Sequence, residues 1–460
     1  MNVIFFAIVM IAFLFAAVRQ LAGGPADGDT TPIEALSQSV VDSAAGAVEL
    51  AIGLIGVMTL FLGLMKVAEK GGLLNVMSRL LRPVMVRLFP DVPANHPAMG
   101  AMILNMSANA LGLGNAATPF GIRAMQELDT LNAEKGTATN AMALFLAINT
   151  SSITLLPTGV IALRASAGSG DPAGILPTTL FATLGSTLVA IIATKLYQRF
   201  SSPAPAVLTS AAAGDPAEEA AERTGAGEAH NPNQNSDPNL DQNPDQHADH
   251  EYAHMLESAS TGYPGWVSLT VLGCVMAIIP LAIVYGTVIS PWIIPGLVAG
   301  FLAYGMIRGV RVYEVFVEGA KEGFYVAVKI IPYLVAILVA VGMFRASGAL
   351  EAMVGMLGPV TAKIGLPAEA LPMALLRPLS GSGAYGVLAS IINDPAVGPD
   401  SYIGYLVSTF QGSTETTFYV LAVYFGAVQV RRVRHAMAAA LTADLAGIMF
   451  AVLACTLLLA

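Results

Sequence analysis

Two apolar stretches decide how this chain reads: TNAMALFLAINTSSITLLPTGVIAL (139–163) and SYIGYLVSTFQGSTETTFYVLAVYFG (401–426). Each is long enough to cross a bilayer, whose hydrocarbon core takes about 20 helical residues. Each is also interrupted by small polar residues: INTSSIT (148–154) precedes Pro157 and Gly159 in the first, and FQGSTETT (410–417) stands at the corresponding place in the second. Ser, Thr and Gln side chains can bond the backbone groups that a break in a helix frees. The stretches therefore predict two broken membrane helices in matching positions.

The rest of the chain agrees with a bilayer setting. Of 460 residues 12% are charged and 55% hydrophobic, and the mean hydropathy is +0.67, whereas soluble domains carry about a quarter charged residues. Further uncharged runs lie at 5–18, 97–122, 173–194 and 258–307. An integral membrane protein is expected, and a nucleic-acid enzyme or a secreted disulfide scaffold is excluded. Cys274 and Cys455 both sit in apolar runs, so neither a disulfide framework nor a CxxC metal site is available. The opening MNVIFFAIVMIAFLFAAV lacks a basic leader and a clear small-residue cleavage site, and reads as a retained membrane helix.

Working outward from the broken helices, the same order of elements occurs twice. A helix at about 44–67 precedes GGLLNVMSRLLRPVMVRLF (71–89), whose apolar residues recur at three and four positions between arginines, the pattern of an interfacial amphipathic helix. PAMGAMILNMSANALGLGNAATPFGI (97–122), the broken helix and a plain helix at 174–199 follow. In the second half, after two extra spans between 264 and 307, a helix at 324–344 precedes 347–365, 371–393, the second broken helix and a last helix at 436–459. The expected fold is an all-α polytopic membrane protein with two inverted repeats, each an interfacial helix, a re-entrant hairpin, a broken helix and a plain transmembrane helix. Residues 1–199 form the first half, with its repeat at 71–199, and 263–460 the second, with its repeat at 347–459.

The segment 200–262 between them reads as an acidic disordered linker. Residues 201–260 hold eleven acidic residues against Arg223 alone, a local charge of −10 within a whole-chain −9, together with four of the six histidines. His247, His250 and His254 share one helical face, yet a solvated tether is the expectation, because nothing buries those rings. Lys66, Lys70, Arg79, Arg82, Arg87, Lys195, Arg199, Arg431, Arg432 and Arg434 follow ends of predicted helices. The positive-inside rule puts them and the linker in the cytoplasm, with the C-terminus outside, in a multi-pass protein of the cell inner membrane.

Both hairpin stretches carry glycine and small polar residues at membrane depth: Asn109, Gly112, Gly114, Asn115, Thr118 and Pro119 in the first, Arg377, Pro378, Ser380, Gly381, Ser382 and Gly383 in the second. Non-helical backbone there is tolerated where protein or a water-filled cavity borders it, and such helix ends suit a polar solute or an ion. The candidate solute-binding groups are Asn109, Asn115, Thr118, Asn149, Ser151, Ser152, Arg377, Ser380, Ser382, Gln411, Ser413, Thr414 and Glu415. Glu415, ionisable within apolar sequence, is the foremost of them. It can bind solute hydroxyl or amino groups, carry a coupling proton or cation, or pair with Arg377 and hold the core together. Asp444, Lys329 and Glu49 are further intramembrane ionisable residues. No nucleophile–base pair and no metal-ligand cluster stands out, so no catalytic residue, cofactor or enzyme activity is expected.

At these motifs the chain resembles a known family. NMSANALGLGNAATPFGIRAMQEL (105–128) and AINTSSITLLPTGVIALR (147–164) look like spore maturation A proteins. RPLSGSGA (377–384) and FQGSTETTFYVLAVYFG (410–426) look like spore maturation B proteins. The resemblance implies a fusion of the two within the nucleoside-recognition, or gate, domain family, which is also found in concentrative nucleoside transporters and ferrous-iron permeases. It implies the inverted-repeat fold of those transporters, although their Gly-Gln-Thr-Glu-like segment lies in the first hairpin and QGSTE here lies in the second broken helix.

Two functions are expected from this. One is a transporter or permease for a small, nucleoside-like polar solute, coupled to a proton or cation. The other is a non-transporting envelope scaffold for spore or cell-wall maturation, with the linker recruiting partners. Either allows a homo-oligomer, and neither involves nucleic acid.

Overall fold

The computed structural model describes residues 2–22, 30–151, 153–201, 255–256 and 259–459. Ser152, Lys329 and Asn115 as side chains, and most of the linker with its histidines, lie outside the described residues.

The first half comprises α1 (Asn2–Leu21), α2 (Pro32–Lys70), α3 (Leu73–Leu88), α4 (Pro97–Ala110), α5 (Gly114–Thr130), α6 (Asn140–Thr150), α7 (Thr158–Ser166) and α8 (Leu176–Tyr197). The second comprises α9 (Gly265–Ile307), α10 (Val312–Ala346), α11 (Ala349–Thr361), α12 (Leu371–Leu376), α13 (Gly381–Ile392), α14 (Tyr402–Ser413), α15 (Thr417–Ala427) and α16 (Ala436–Leu459). Among the described residues the chain is helical, with one isolated parallel bridge between Thr137 and Arg432. It is an all-α polytopic protein, in which α2, α8 and α16 are long and apolar enough to cross a membrane.

The elements follow the expected order, with four differences, one being that α10 begins at Val312 rather than near residue 324. α2 begins well before residue 44, because Thr31 and Glu34 form a reciprocal capping box that starts the helix early. The two spans expected between 264 and 307 run together as α9, which departs from helical geometry at Tyr285 (φ −123°, ψ 17°). The first hairpin stretch extends to Thr130. α3 buries Leu74, Ser78, Leu80 and Met85 and leaves Arg79 and Arg87 exposed, as an amphipathic helix does, with Arg82 half-buried. Its counterpart α11 turns 78° away from the end of α10.

Close approach of small residues fixes how the halves meet. Gly63 of α2 lies against Phe316 of α10, Gly319 against Leu62 and Lys66, Gly323 against Met58 and Thr59, and Gly342 against Ser39 and Ser43. The two helices are therefore antiparallel. α8 and α16 pack antiparallel likewise, with Gly185 against Phe450 and Tyr197 bonded to Thr442. These pairings divide the loops between two faces.

On one face lie the end of α2, where Lys66 pairs with Glu322 at 3.1 Å, and the start of α10. Arg82 there donates to the Ala94 and Ala259 carbonyls. The turn after α15 interlocks with the loop before α6 on this face, since Arg431 and Arg432 donate to the Gly136 carbonyl and Arg434 to that of Ala138. On the opposite face Arg345 pairs with Asp394 at 2.9 Å and Arg19 donates to the Ser347 carbonyl. The hairpin α4–α5 starts and ends at the first face, and α12–α13 at the second.

Candidate functional site

Both long apolar stretches are broken, since α6 ends at Thr150 and α7 begins at Thr158, and α14 ends at Ser413 and α15 begins at Thr417. Each break frees backbone groups in the interior, and these bond across elements. Leu155 N–H donates to the Ala110 carbonyl at the end of α4, at 2.9 Å. Glu415 N–H donates to the Thr150 carbonyl at the end of α6, at 2.9 Å, and Phe418 N–H to the Pro378 carbonyl between α12 and α13, at 3.1 Å. Both hairpin tips and both breaks are thus joined at one level, which is why non-helical backbone is tolerated there.

A cavity of about 220 Å³ opens at this junction. Its polar lining is Asn109, Thr154, Thr158, Arg377, Tyr385, Gln411 and Glu415, with Gly112, Gly159, Gly381 and Gly412 between them. Both halves contribute. Gly112 adopts φ +75°, and any Cβ there would strike the Leu156 carbonyl oxygen. Gly381 has no room either, since a Cβ would stand 2.8 Å from the Thr416 hydroxyl. Gly112 lets backbone approach backbone, and Gly381 leaves room for the Thr416 hydroxyl.

Arg377 and Glu415 supply the charge. The Arg377 side chain is 6% exposed and lies 3.7 Å from the Glu415 carboxylate, which is 48% exposed. Arg377 also donates to the Gln411 carbonyl at 3.2 Å, to the Thr416 hydroxyl at 3.1 Å and to the Thr414 carbonyl. It therefore serves the last carbonyls of α14, where the helix dipole favours a cation. Glu415 lines the cavity with one ion-pair partner among the described residues, at 3.7 Å, so its carboxylate keeps oxygen capacity for a solute.

The remaining sequence-derived residues divide plainly. Asn109, Arg377, Gln411 and Glu415 line the cavity. Asn149 does not; its side chain accepts from Asn109 at 3.0 Å and from Tyr424 and donates to the Phe145 carbonyl, so it joins helices. Ser151 donates to its own helix at Ala147, and Thr414 does so at Phe410. Ser380 caps α13 by accepting from Gly383 N–H at 3.0 Å. Thr118 and Ser382 are partly buried on α5 and α13, away from the cavity lining. Ser413 is buried, and its hydroxyl has no bonding partner among the described residues.

Thr154, Thr158 and Tyr385 join the site without having been singled out, although each stands within or beside a motif already quoted. Arg164, 0% exposed at the end of α7, is a larger omission. It donates to Pro399 and Asp171 carbonyls at 2.6 and 3.1 Å, pairs with Asp400 at 3.0 Å and lies 4.2 Å over the Tyr405 ring. Asp444 accepts from Thr417 at 2.7 Å in the interior between α15 and α16. No group of three or more His, Cys, Asp or Glu able to hold a metal occurs among the described residues.

Spore maturation protein B of Bacillus subtilis is 50% identical over 165 residues, covering 92% of that protein and 36% of this chain. The chain belongs to the spore maturation A and B protein family. Spore maturation protein A of the same organism is 42% identical over 191 residues, covering 92% of that protein and 42% of this chain. Nearly the full length of both relatives is matched, as in a fusion of the two. The nucleoside recognition family, Gate, matches residues 51–167 and 327–431. Those two ranges contain every residue lining the cavity. No solved structure matches the chain.

Proposed function

We propose that the protein is a membrane transporter of a small polar solute, nucleoside-like by its membership of the nucleoside recognition family and coupled to a proton or cation. The single observation that carries this reading is the cavity at which four interruptions, two from each half, converge. Glu415 accepts from solute hydroxyl or amino groups, Arg377 holds the end of α14 beside it, and Asn109, Gln411 and Tyr385 complete the polar surface. The two halves act as inverted repeats, a reading supported by hairpins that enter from opposite faces, and alternating access comes from one moving against the other. The face with the clustered arginines is cytoplasmic by the positive-inside rule, in the cell inner membrane, and both ends of the linker belong there. No step of this function is enzymatic. The kinship with spore maturation proteins points to that process as its setting.

The test is uptake by proteoliposomes after a thermal-shift screen of purified protein against nucleosides, nucleobases and metal ions, since a ligand of the folded state raises its stability. Glu415→Gln is expected to abolish uptake, or its ion dependence, in protein that still inserts. Unchanged uptake with that variant removes Glu415 from the mechanism.

A further inference from the structure

A second, larger cavity of about 760 Å³ lies on the face that carries Arg345 and Asp394. Its lining includes Asp42, Glu49, Ser166, Gly342, Ser390 and Asn393. Asp42 and Glu49 are exposed. Arg345 also borders it, but its charge is matched by Asp394. The unmatched charge of this vestibule is therefore negative, and a cleft lined by one sign of charge concentrates solutes of the other.

The vestibule and the central cavity share two helices. α7 reaches from Thr158 and Gly159 in the cavity to Ser166 in the vestibule, a rise of about 12 Å. α13 runs from Gly381 and Tyr385 in the cavity to Ser390 in the vestibule lining, and Asn393 follows its end. Between them Leu54, Val160, Leu163, Ile337 and Val387 are buried in one apolar cluster. Tyr385 stands where this seal meets the cavity, against Gly159, at which a Cβ would be 2.6 Å from the tyrosine hydroxyl. A side chain at residue 159 would displace the tyrosine hydroxyl from this seat.

We propose that the vestibule is the mouth of the solute path on this face, that it admits neutral and cationic solutes, and that Tyr385 seated on Gly159 is the gate between mouth and cavity. The proposal rests on the transport reading of the cavity, and its test reads accessibility as well as uptake. Thr158→Cys and Ser166→Cys are made separately in protein whose Cys274 and Cys455 are replaced by serine. Each is labelled by impermeant thiol reagents from either side of sealed vesicles, and the side that labels Ser166→Cys defines the vestibule face. Thr158→Cys is expected to react slowly from that side, and Tyr385→Ala to speed it about tenfold from that side alone, with Ser166→Cys unchanged. Tyr385→Leu, which keeps the position apolar, makes the same demand should the alanine variant fail to insert. An unchanged rate at Thr158→Cys, or acceleration from the other side, overturns the gate.

Asp42→Asn with Glu49→Gln is expected to lower the ratio of cationic to anionic reagent rates at Ser166→Cys about threefold. An unchanged ratio overturns the charge selection. Uptake with unaltered labelling sinks the gate alone, whereas the expected labelling in protein that moves no solute sinks the transport reading and leaves the gate standing.

Discussion

The backbone N–H of Glu415 donates to the carbonyl of Thr150 at 2.9 Å, so the break in the second half completes the helix end of the first. The residue with the foremost side chain is therefore also the residue whose main chain ties the two halves together. Movement of one half against the other has to exchange this bond for another partner, because an unpaired amide or carbonyl in the interior costs about 1 to 3 kcal/mol.

Arg377 and Glu415 should separate in their effects on stability. Arg377→Ala removes a buried guanidinium and strands the Gln411 and Thr414 carbonyls, a change expected to cost about 3 to 5 kcal/mol. Glu415→Gln, at a half-exposed side chain, should cost under about 1 kcal/mol. Melting of the two variants in detergent checks the order; a larger loss for Glu415→Gln would make that residue structural.

Gly112 should refuse a side chain that Gly56 accepts. At Gly112 alanine meets both a left-handed backbone, costing about 1 to 2 kcal/mol, and the Leu156 carbonyl. A Cβ on Gly56, inside α2, has nothing within 4 Å, and alanine there should be neutral or stabilise by about 0.5 to 1 kcal/mol. Thermal melting of the two alanine variants distinguishes them, and equal melting contradicts the assignment.

Arg164 should matter far more than the carboxylate it pairs with. The guanidinium is fully buried and binds two carbonyls and a tyrosine face, whereas Asp400 is 45% exposed. Arg164→Ala is expected to lose about 3 to 5 kcal/mol and Asp400→Asn about 1 kcal/mol or less. Comparable losses from the two would show that the ion pair, rather than the carbonyl bonds, holds α7 to the start of α14.

Acid should weaken the interlocked turn before α16. His435 is buried there with neither ring nitrogen bonded among the described residues. Burial, with Arg434 beside it, pushes its pKa down to about 4. The unfolded chain, with an ordinary histidine near 6.5, binds the proton first. Stability contributed by the neutral ring is present above about pH 6.5 and falls as the pH drops towards 4. A melting-temperature profile over that window should flatten in His435→Gln; an identical slope would place the acid sensitivity elsewhere.

Membrane insertion, the twofold order of elements and the places of the four interruptions are legible in the chain itself. Each is local: an apolar run of bilayer length needs no partner to be recognised, and Gly, Pro, Ser and Thr disfavour helix wherever they cluster. The start of α2 is not read from the sequence, which places it near residue 44, because hydropathy passes over the Thr31–Glu34 capping box.

Which polar groups face the cavity is a property of the tertiary structure alone. Asn109 and Asn149 stand in equivalent apolar surroundings in the sequence, yet one lines the cavity and the other binds it from behind. A polar side chain inside a membrane protein must find a partner, and whether that partner is a neighbouring helix or a solute depends on how the helices are rotated. That rotation is set by contacts distant in sequence, such as Gly159 beneath Tyr385 and Gly63 beneath Phe316. Two broken helices follow from local sequence, whereas the meeting of their breaks through Thr150 and Glu415 comes from packing, because a freed backbone group is satisfied by whatever the fold brings within about 3 Å.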